Sequence, residues 1–139
     1  AILGFSFKAN TNDTRESAAI TICKDLLEEG ALLNIHDPKV KSEQILKDLG
    51  TKFSKKNIQK LDLHQEGSWN LTSNVYEAIK DSDAILILTE WEEYTKINWE
   101  RASKTMRNPA WVFDARSIID PKKVLKENLK LWRIGDGLR

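Results

Sequence analysis

Cysteine is nearly absent. Cys23 is the single one among 139 residues, so no disulfide can form within the chain and a reducing compartment, the cytoplasm, is expected. Proline and glycine are sparse too, at 3 and 6 residues, which excludes collagen-like and low-complexity architectures. No apolar run approaches the ~20 residues that a membrane-spanning helix needs, so no membrane association is expected. An excess of one charge sign is also missing: 22 Lys+Arg against 21 Asp+Glu leave a net charge of +1 and no global field to attract nucleic acid. The histidines His36 and His64 are far apart with no partner at metal-ligand spacing, so no metal site is expected.

What is present describes one ordinary globular domain, with 40% hydrophobic and 31% charged residues. Lys52, Lys55, Lys56 and Lys60 form the densest basic run, but Asp62 and Glu66 follow and no aromatic ladder is interleaved, which fits a solvated loop or helix face. Without an initiating Met, the chain opens at Ala1 on what reads as a buried strand, so further sequence is expected upstream.

The order of elements is regular. Ala1 to Phe7 is almost wholly apolar and reads as a strand buried on both faces, closed by a polar loop from Lys8 to Asp13. Ala19, Ile22, Cys23, Leu26 and Leu27 then recur at helical spacing; Thr14 or Ser17 can cap the start, and Gly30 sits where a left-handed C-terminal residue belongs. A strand over Ala31 to His36 stops at Asp37-Pro38. Helices are expected over Ser42 to Leu49, Asn74 to Lys80, Trp99 to Met106 and Pro121 to Glu127. Strands are expected over Ala84 to Leu88, Ala110 to Phe113 and Leu129 to Ile134. Gly50 to Thr72 is polar and weakly patterned, an irregular excursion with room for one short strand. Strands alternating with helices predict an α/β, Rossmann-like doubly wound fold: a mainly parallel sheet with helices on both faces.

Ligands of open α/β sheets bind beyond the carboxyl ends of the strands, near helix N-termini. That rule selects Lys8, Asn10, Thr11, Asp13, Thr14 and Arg15 after the first strand, Thr89, Glu90 and Trp91 after the Ile85 strand, and Asp114 and Arg116 after the Val112 strand. Several cations beside a helix start suit a phosphate. Gly4-Phe5-Ser6-Phe7-Lys8 carries one glycine where the dinucleotide fingerprint needs three, and it is not a P-loop. Cys23 lies on the apolar helix stripe, where a thiol is packing and not a nucleophile. Glu90 has no evident role beyond capping or orienting a cation. The tryptophans suit core or interdomain packing, with Trp91, at the ligand edge, the one best placed to stack on a base.

In order along the chain, GFSFKANTNDTRES (Gly4 to Ser17), HDPKV (His36 to Val40), TEW (Thr89 to Trp91) and FDAR (Phe113 to Arg116) resemble the C-terminal domain of the nucleotide-sugar dehydrogenases, across essentially the whole chain. The first block is long and specific; the others gain their weight from order and spacing. Ala18 stands where many relatives carry proline, and Gly50 to Thr72 offers no matching motif.

The resemblance implies that residues 1–139 are a single UDP-binding domain of a larger homo-oligomeric enzyme, which oxidises the C6 alcohol of a UDP-sugar to a carboxylate in two hydride transfers to NAD through a thioester on a cysteine. That cysteine, and most of the NAD site, would lie outside this chain, so the chain alone is expected to be inactive. Carried over by motif, Phe7 and Lys8 would contact the substrate, Arg116 would reach the substrate of a neighbouring subunit, and Arg15 would stand near the NAD. UDP-glucose is favoured as the sugar, with UDP-N-acetylmannosamine and GDP-mannose as alternatives. From the residues alone, a free-standing nucleotide-binding regulatory module also stays open; a receiver-type signalling domain does not, because Lys8-Ala9-Asn10 stands where its acidic pair would be.

Overall fold

Neighbouring residues of a strand point to opposite sides of its sheet, so a strand buried on both faces must be apolar at every position. Ile2 and Leu3 satisfy this: both are buried, and they belong to different halves of the core. The computed structural model describes residues 1–50 and 67–136. Over these the chain runs β1 (Ile2–Leu3), α1 (Ala18–Glu28), β2 (Leu32–His36), α2 (Ser42–Leu49), β3 (Ser68–Leu71), α3 (Val75–Ile79) and β4 (Ala84–Ile87). A 3-10 turn (Glu92–Lys96) precedes α4 (Trp99–Thr105), β5 (Trp111–Asp114), α5 (Pro121–Leu125) and β6 (Lys130–Arg133).

The strands form one six-stranded sheet in the order β3-β2-β1-β4-β5-β6. Every pairing is parallel, more uniformly than the sequence suggests. One face is packed by α1 and α2 through Ala19, Cys23, Leu27, Ile45 and Leu49. The other is packed by α3, α4 and α5 through Val75, Ala78, Ile79, Trp99, Ala102 and Val124. Helices therefore lie on both faces, and the strand order reverses between β1 and β4, which is where such sheets open a crevice.

Local chemistry sets the boundaries. Ser17 caps α1, its hydroxyl accepting from the Ala19 amide, and Gly30 at φ +86° closes the helix with its amide on the Leu27 carbonyl. Strand β1 ends four residues before the expected Phe7. Gly4 takes φ +94°, and a Cβ there would lie 2.3 Å from Thr89 Cβ, so the chain turns off the sheet at the one residue able to pass that close. The expected short strand within Gly50 to Thr72 is β3; Lys52, Lys55, Lys56, Lys60 and His64 lie outside the described residues. Trp69, Trp91 and Trp99 are core residues, whereas Trp111 and Trp132 remain 36% and 43% exposed around Phe113.

Candidate functional site

The loops that follow β1, β2, β4 and β5 meet at one edge of the sheet. Beyond Gly4 the chain forms an irregular turn, Phe5 and Ser6 fully buried and Phe7 turned outward at 46% exposure with Lys8 exposed beside it. The Phe7 amide donates to the Asp13 carbonyl at 2.7 Å, closing a loop whose outer bend uses Asn10 at φ +63°, a conformation asparagine tolerates well. Between this loop and α2 lies an open depression of about 730 Å³, bordered by Thr11, Asn12 and Arg15 on one side and Gln44 and Lys47 on the other. Thr14 ties the two walls together, its hydroxyl donating to Asp48 Oδ2 at 2.6 Å and accepting from Gln44 Nε2 at 2.8 Å.

Arg116 arrives from the far side of the switch point. Asp114, buried at the end of β5, accepts from the Arg116 amide at 3.0 Å and the Ile119 amide at 2.9 Å, forming a turn that sends the arginine back across β4. Its Nε donates to the Leu88 carbonyl at 2.9 Å and its Nη2 to the Phe7 carbonyl at 3.1 Å. Glu90 Oε2 stands 3.4 Å from the same Nε without a hydrogen-bond partner among the described residues, and Glu90 Oε1 accepts from the Ala9 amide at 3.4 Å, so Glu90 is a charge neighbour of this cation. Phe7, Lys8 and Arg116, singled out separately in the sequence, thus come together within one chain, with guanidinium N–H groups beyond these two bonds and the Lys8 side chain turned toward solvent.

Arg15 is placed differently. Its guanidinium binds Asp13 in a fork, Nη2 to Oδ2 at 2.7 Å and Nε to Oδ1 at 3.0 Å, while the side chain is 88% exposed. The hydrogen bonds from Arg15 hold the Asp13 carboxyl down to about 2. Cys23 is completely buried, and burial pushes its thiol up to about 12, so at neutral pH it is protonated packing. His36 is buried at the end of β2; its Nδ1 lies 3.1 Å from the Tyr94 hydroxyl, which donates to the His36 carbonyl at 3.0 Å. Burial lowers the His36 pKa. Trp91, the tryptophan best placed by sequence to stack on a base, is instead 6% exposed with its indole N–H donating to Asp37 Oδ2 at 3.2 Å.

The model of the UDP-glucose/GDP-mannose dehydrogenase family, UDP binding domain, matches residues 1–121. The chain belongs to that family. Among curated relatives, UDP-glucose 6-dehydrogenase of Drosophila melanogaster is 42% identical over 135 residues, covering 97% of this chain and 28% of that protein. The Caenorhabditis elegans enzyme of the same name is 39% identical over 135 residues, with 97% and 27% covered. UDP-glucose 6-dehydrogenase 3 of Arabidopsis thaliana is 39% identical over 142 residues, with 99% and 30% covered. The chain thus spans less than a third of the length of these relatives. A solved structure of NDP-N-acetyl-D-galactosaminuronic acid dehydrogenase from Methanosarcina mazei Go1 superposes with a TM-score of 0.72 at 21% identity, covering 97% of this chain and 24% of that one, and shows the shared fold.

In this UDP binding domain the four sequence blocks that carried the resemblance all lie on the edge just described. Gly4 to Ser17 forms the first loop, HDPKV ends β2, TEW follows β4 and FDAR ends β5. Sequence reasoning missed the residue that joins them. Asp37 reads as a strand stop before proline, yet it is buried and accepts from five donors on three loops. The only available signal was an acidic residue directly before Pro38 at the ligand end of a strand.

Proposed function

We propose that this chain is the substrate-nucleotide domain of a UDP-glucose 6-dehydrogenase, one domain of a longer homo-oligomeric protein that oxidises UDP-glucose to UDP-glucuronate with NAD. The observation that carries the reading is the convergence of Phe7, Lys8 and Arg116 at the β1/β4 switch point of a chain whose family is named for UDP binding. The 42% identity to a UDP-glucose 6-dehydrogenase supports glucose as the sugar. Lys8 supplies a mobile positive charge for the pyrophosphate, and the guanidinium N–H groups of Arg116 that are unbonded among the described residues supply a fork beside it, in the site of its own chain instead of the neighbouring subunit's that the resemblance implies. Phe7 offers an apolar surface at the same place.

NAD does not fit the first turn of this chain. A pyrophosphate cradle needs free amides, but those of Phe5 and Ser6 are taken by Asp37 and that of Phe7 by Asp13. The NAD is held chiefly by the remainder of the longer protein, with Arg15 as the exposed cation on this side. When bound there, NAD supplies the hydride acceptor. What this chain's own residues do is hold and orient the UDP end of the substrate.

Lys8→Ala in the full-length protein is expected to weaken UDP binding by about 1.5–3 kcal/mol, the range for a hydrogen bond to a charged group. Titration calorimetry with UDP measures this directly, and an unchanged Kd would remove Lys8 from the site. Turnover of UDP-glucose, with GDP-mannose a poor substrate, is the accompanying expectation for the sugar.

A further inference from the structure

The turn that presents Phe7 and Lys8 has no regular hydrogen-bond ladder, yet its inner backbone is satisfied group by group. The Phe5 and Ser6 amides donate to Asp37 Oδ2 at 2.8 and 3.0 Å, and the Phe7 amide to the Asp13 carbonyl at 2.7 Å. The Phe5 carbonyl accepts from Ser17 Oγ at 2.8 Å, the Ser6 carbonyl from Thr89 Oγ1 at 2.8 Å, and the Phe7 carbonyl from Arg116 Nη2 at 3.1 Å. Phe5 and Ser6 are wholly buried, so water cannot substitute for these partners. The Ser6 hydroxyl continues the chain of contacts outward, donating to the Lys8 carbonyl at 3.0 Å.

Asp37 holds the middle of this arrangement. Besides the two amides of the turn, Oδ2 accepts from Trp91 Nε1 at 3.2 Å, and Oδ1 accepts from the Lys39 and Val40 amides at 2.9 and 3.0 Å. Among the described residues both oxygens face only N–H donors, so two acceptors fit and an amide does not: whichever way Asn were turned, its NH2 would meet other N–H groups. Thr89, fully buried, is the complementary clamp on the carbonyl side of the same peptide.

We propose that Asp37 and Thr89 are positioning residues for the ligand, acting through Phe5 and Ser6 to set where Lys8 stands. This rests on the reading of Phe7 and Lys8 as the UDP contact. A lysine side chain is flexible, so the only part of Lys8 that the fold can fix is its backbone, and that backbone is anchored at Ser6 from both sides. A shift of the anchor by about an ångström restricts the rotamers from which the ammonium reaches a bound phosphate, and weaker binding follows.

The test uses the full-length protein and UDP as the probe. Asp37→Asn is expected to raise the UDP Kd on the order of tenfold to a hundredfold. Leu27→Ala, a core substitution on α1, serves as a control for instability alone and is expected to leave the UDP Kd within about twofold once binding is measured well below both melting temperatures. The decisive readout is coupling: if Asp37 acts through Lys8, Asp37→Asn combined with Lys8→Ala binds UDP no more weakly than Lys8→Ala alone. Should Asp37→Asn fail to fold, Thr89→Val preserves shape, removes only the clamp on the Ser6 carbonyl, and is expected to show the same lack of additivity. A UDP Kd for Asp37→Asn or Thr89→Val equal to that of the control, or losses that multiply with Lys8→Ala, would overturn the proposal while leaving Lys8 in the site. A Lys8→Ala protein that binds UDP normally would take down the reading of the site as well.

Discussion

Replacing Arg116 by lysine keeps the charge and removes the fork, which separates the two contributions at this site. The guanidinium spans two carbonyls on different loops, Leu88 at 2.9 Å and Phe7 at 3.1 Å, with the Glu90 carboxylate 3.4 Å away. An ammonium on a flexible stem can reach one of these carbonyls but cannot bridge both. A hydrogen bond from a charged donor contributes about 1.5–3 kcal/mol. The side chain is 36% exposed and the released carbonyl can turn to water, so the lower end applies. Arg116→Lys should therefore cost about 1–2 kcal/mol of stability, which lowers the Tm of the transition that unfolds this domain. Losing the anchor on the Phe7 carbonyl should also weaken UDP binding by about tenfold, or ~1.4 kcal/mol. Differential scanning calorimetry and UDP titration of the full-length protein measure the two effects separately. A lysine variant that matches the parent in both would refute the reasoning, because charge alone would then account for the site.

Two further outcomes follow from single positions. Gly4→Ala should destabilise the fold by more than about 2 kcal/mol, since the new Cβ would stand 2.3 Å from Thr89 Cβ and 2.7 Å from the Thr89 amide nitrogen at φ +94°; a change below ~1 kcal/mol in urea unfolding would mean that the loops separate easily. Burial holds the His36 pKa below its unfolded value of ~6.5, so its neutral form contributes stability above that pH which is lost as pH falls toward the folded pKa. The urea midpoint should therefore fall between pH 7.5 and 5 by more in the parent than in His36→Gln, and equal slopes would show that His36 titrates normally.

Periodic elements were legible because their signals are local. The stripe of Ala19, Cys23 and Leu27 marked α1, and the Ser42 to Leu49 helix agrees at both ends. Strand β1 was read too long because Phe5 is as buried as a strand residue while sitting off the sheet, and apolar content cannot distinguish the two. The 3-10 turn at Glu92–Lys96 escaped notice in a polar stretch whose one anchor, Tyr94, is fully buried. Lys8 and Arg116 could be nominated from the rule about strand ends, whereas the contact between Arg116 and the Phe7 carbonyl, 109 residues apart, exists only once the strand order is known. Asp37 was illegible for the same reason: three of its five donors, the Phe5 and Ser6 amides and the Trp91 indole, come from loops that sequence proximity does not join to it.

The edge proposed to receive a phosphate is also crowded with carboxylates, and the partners of the buried ones explain how both can hold. Asp37 faces five N–H donors, and Asp114 accepts two backbone amides. Asp13 is engaged by the Arg15 fork and Glu90 stands beside the Arg116 guanidinium. Asp37 and Asp114, the two buried carboxylates, are thus turned inward onto donors of the chain itself, where they shape the loops and are compensated at short range, whereas Asp13 and Glu90 stay partly exposed beside their arginines. Beside Phe7 the outward cations are the Lys8 ammonium and the N–H groups of Arg116 not bonded to Leu88 or Phe7. A chain of net charge +1 can in this way keep cations outward at one point of the edge, not by accumulating lysines but by setting Asp37 and Asp114 on backbone amides beneath the surface. On the proposed function, anion binding here is a property of the loop architecture, and substitutions at Asp37 or Asp114 should disturb it although both side chains are turned onto the chain's own amides.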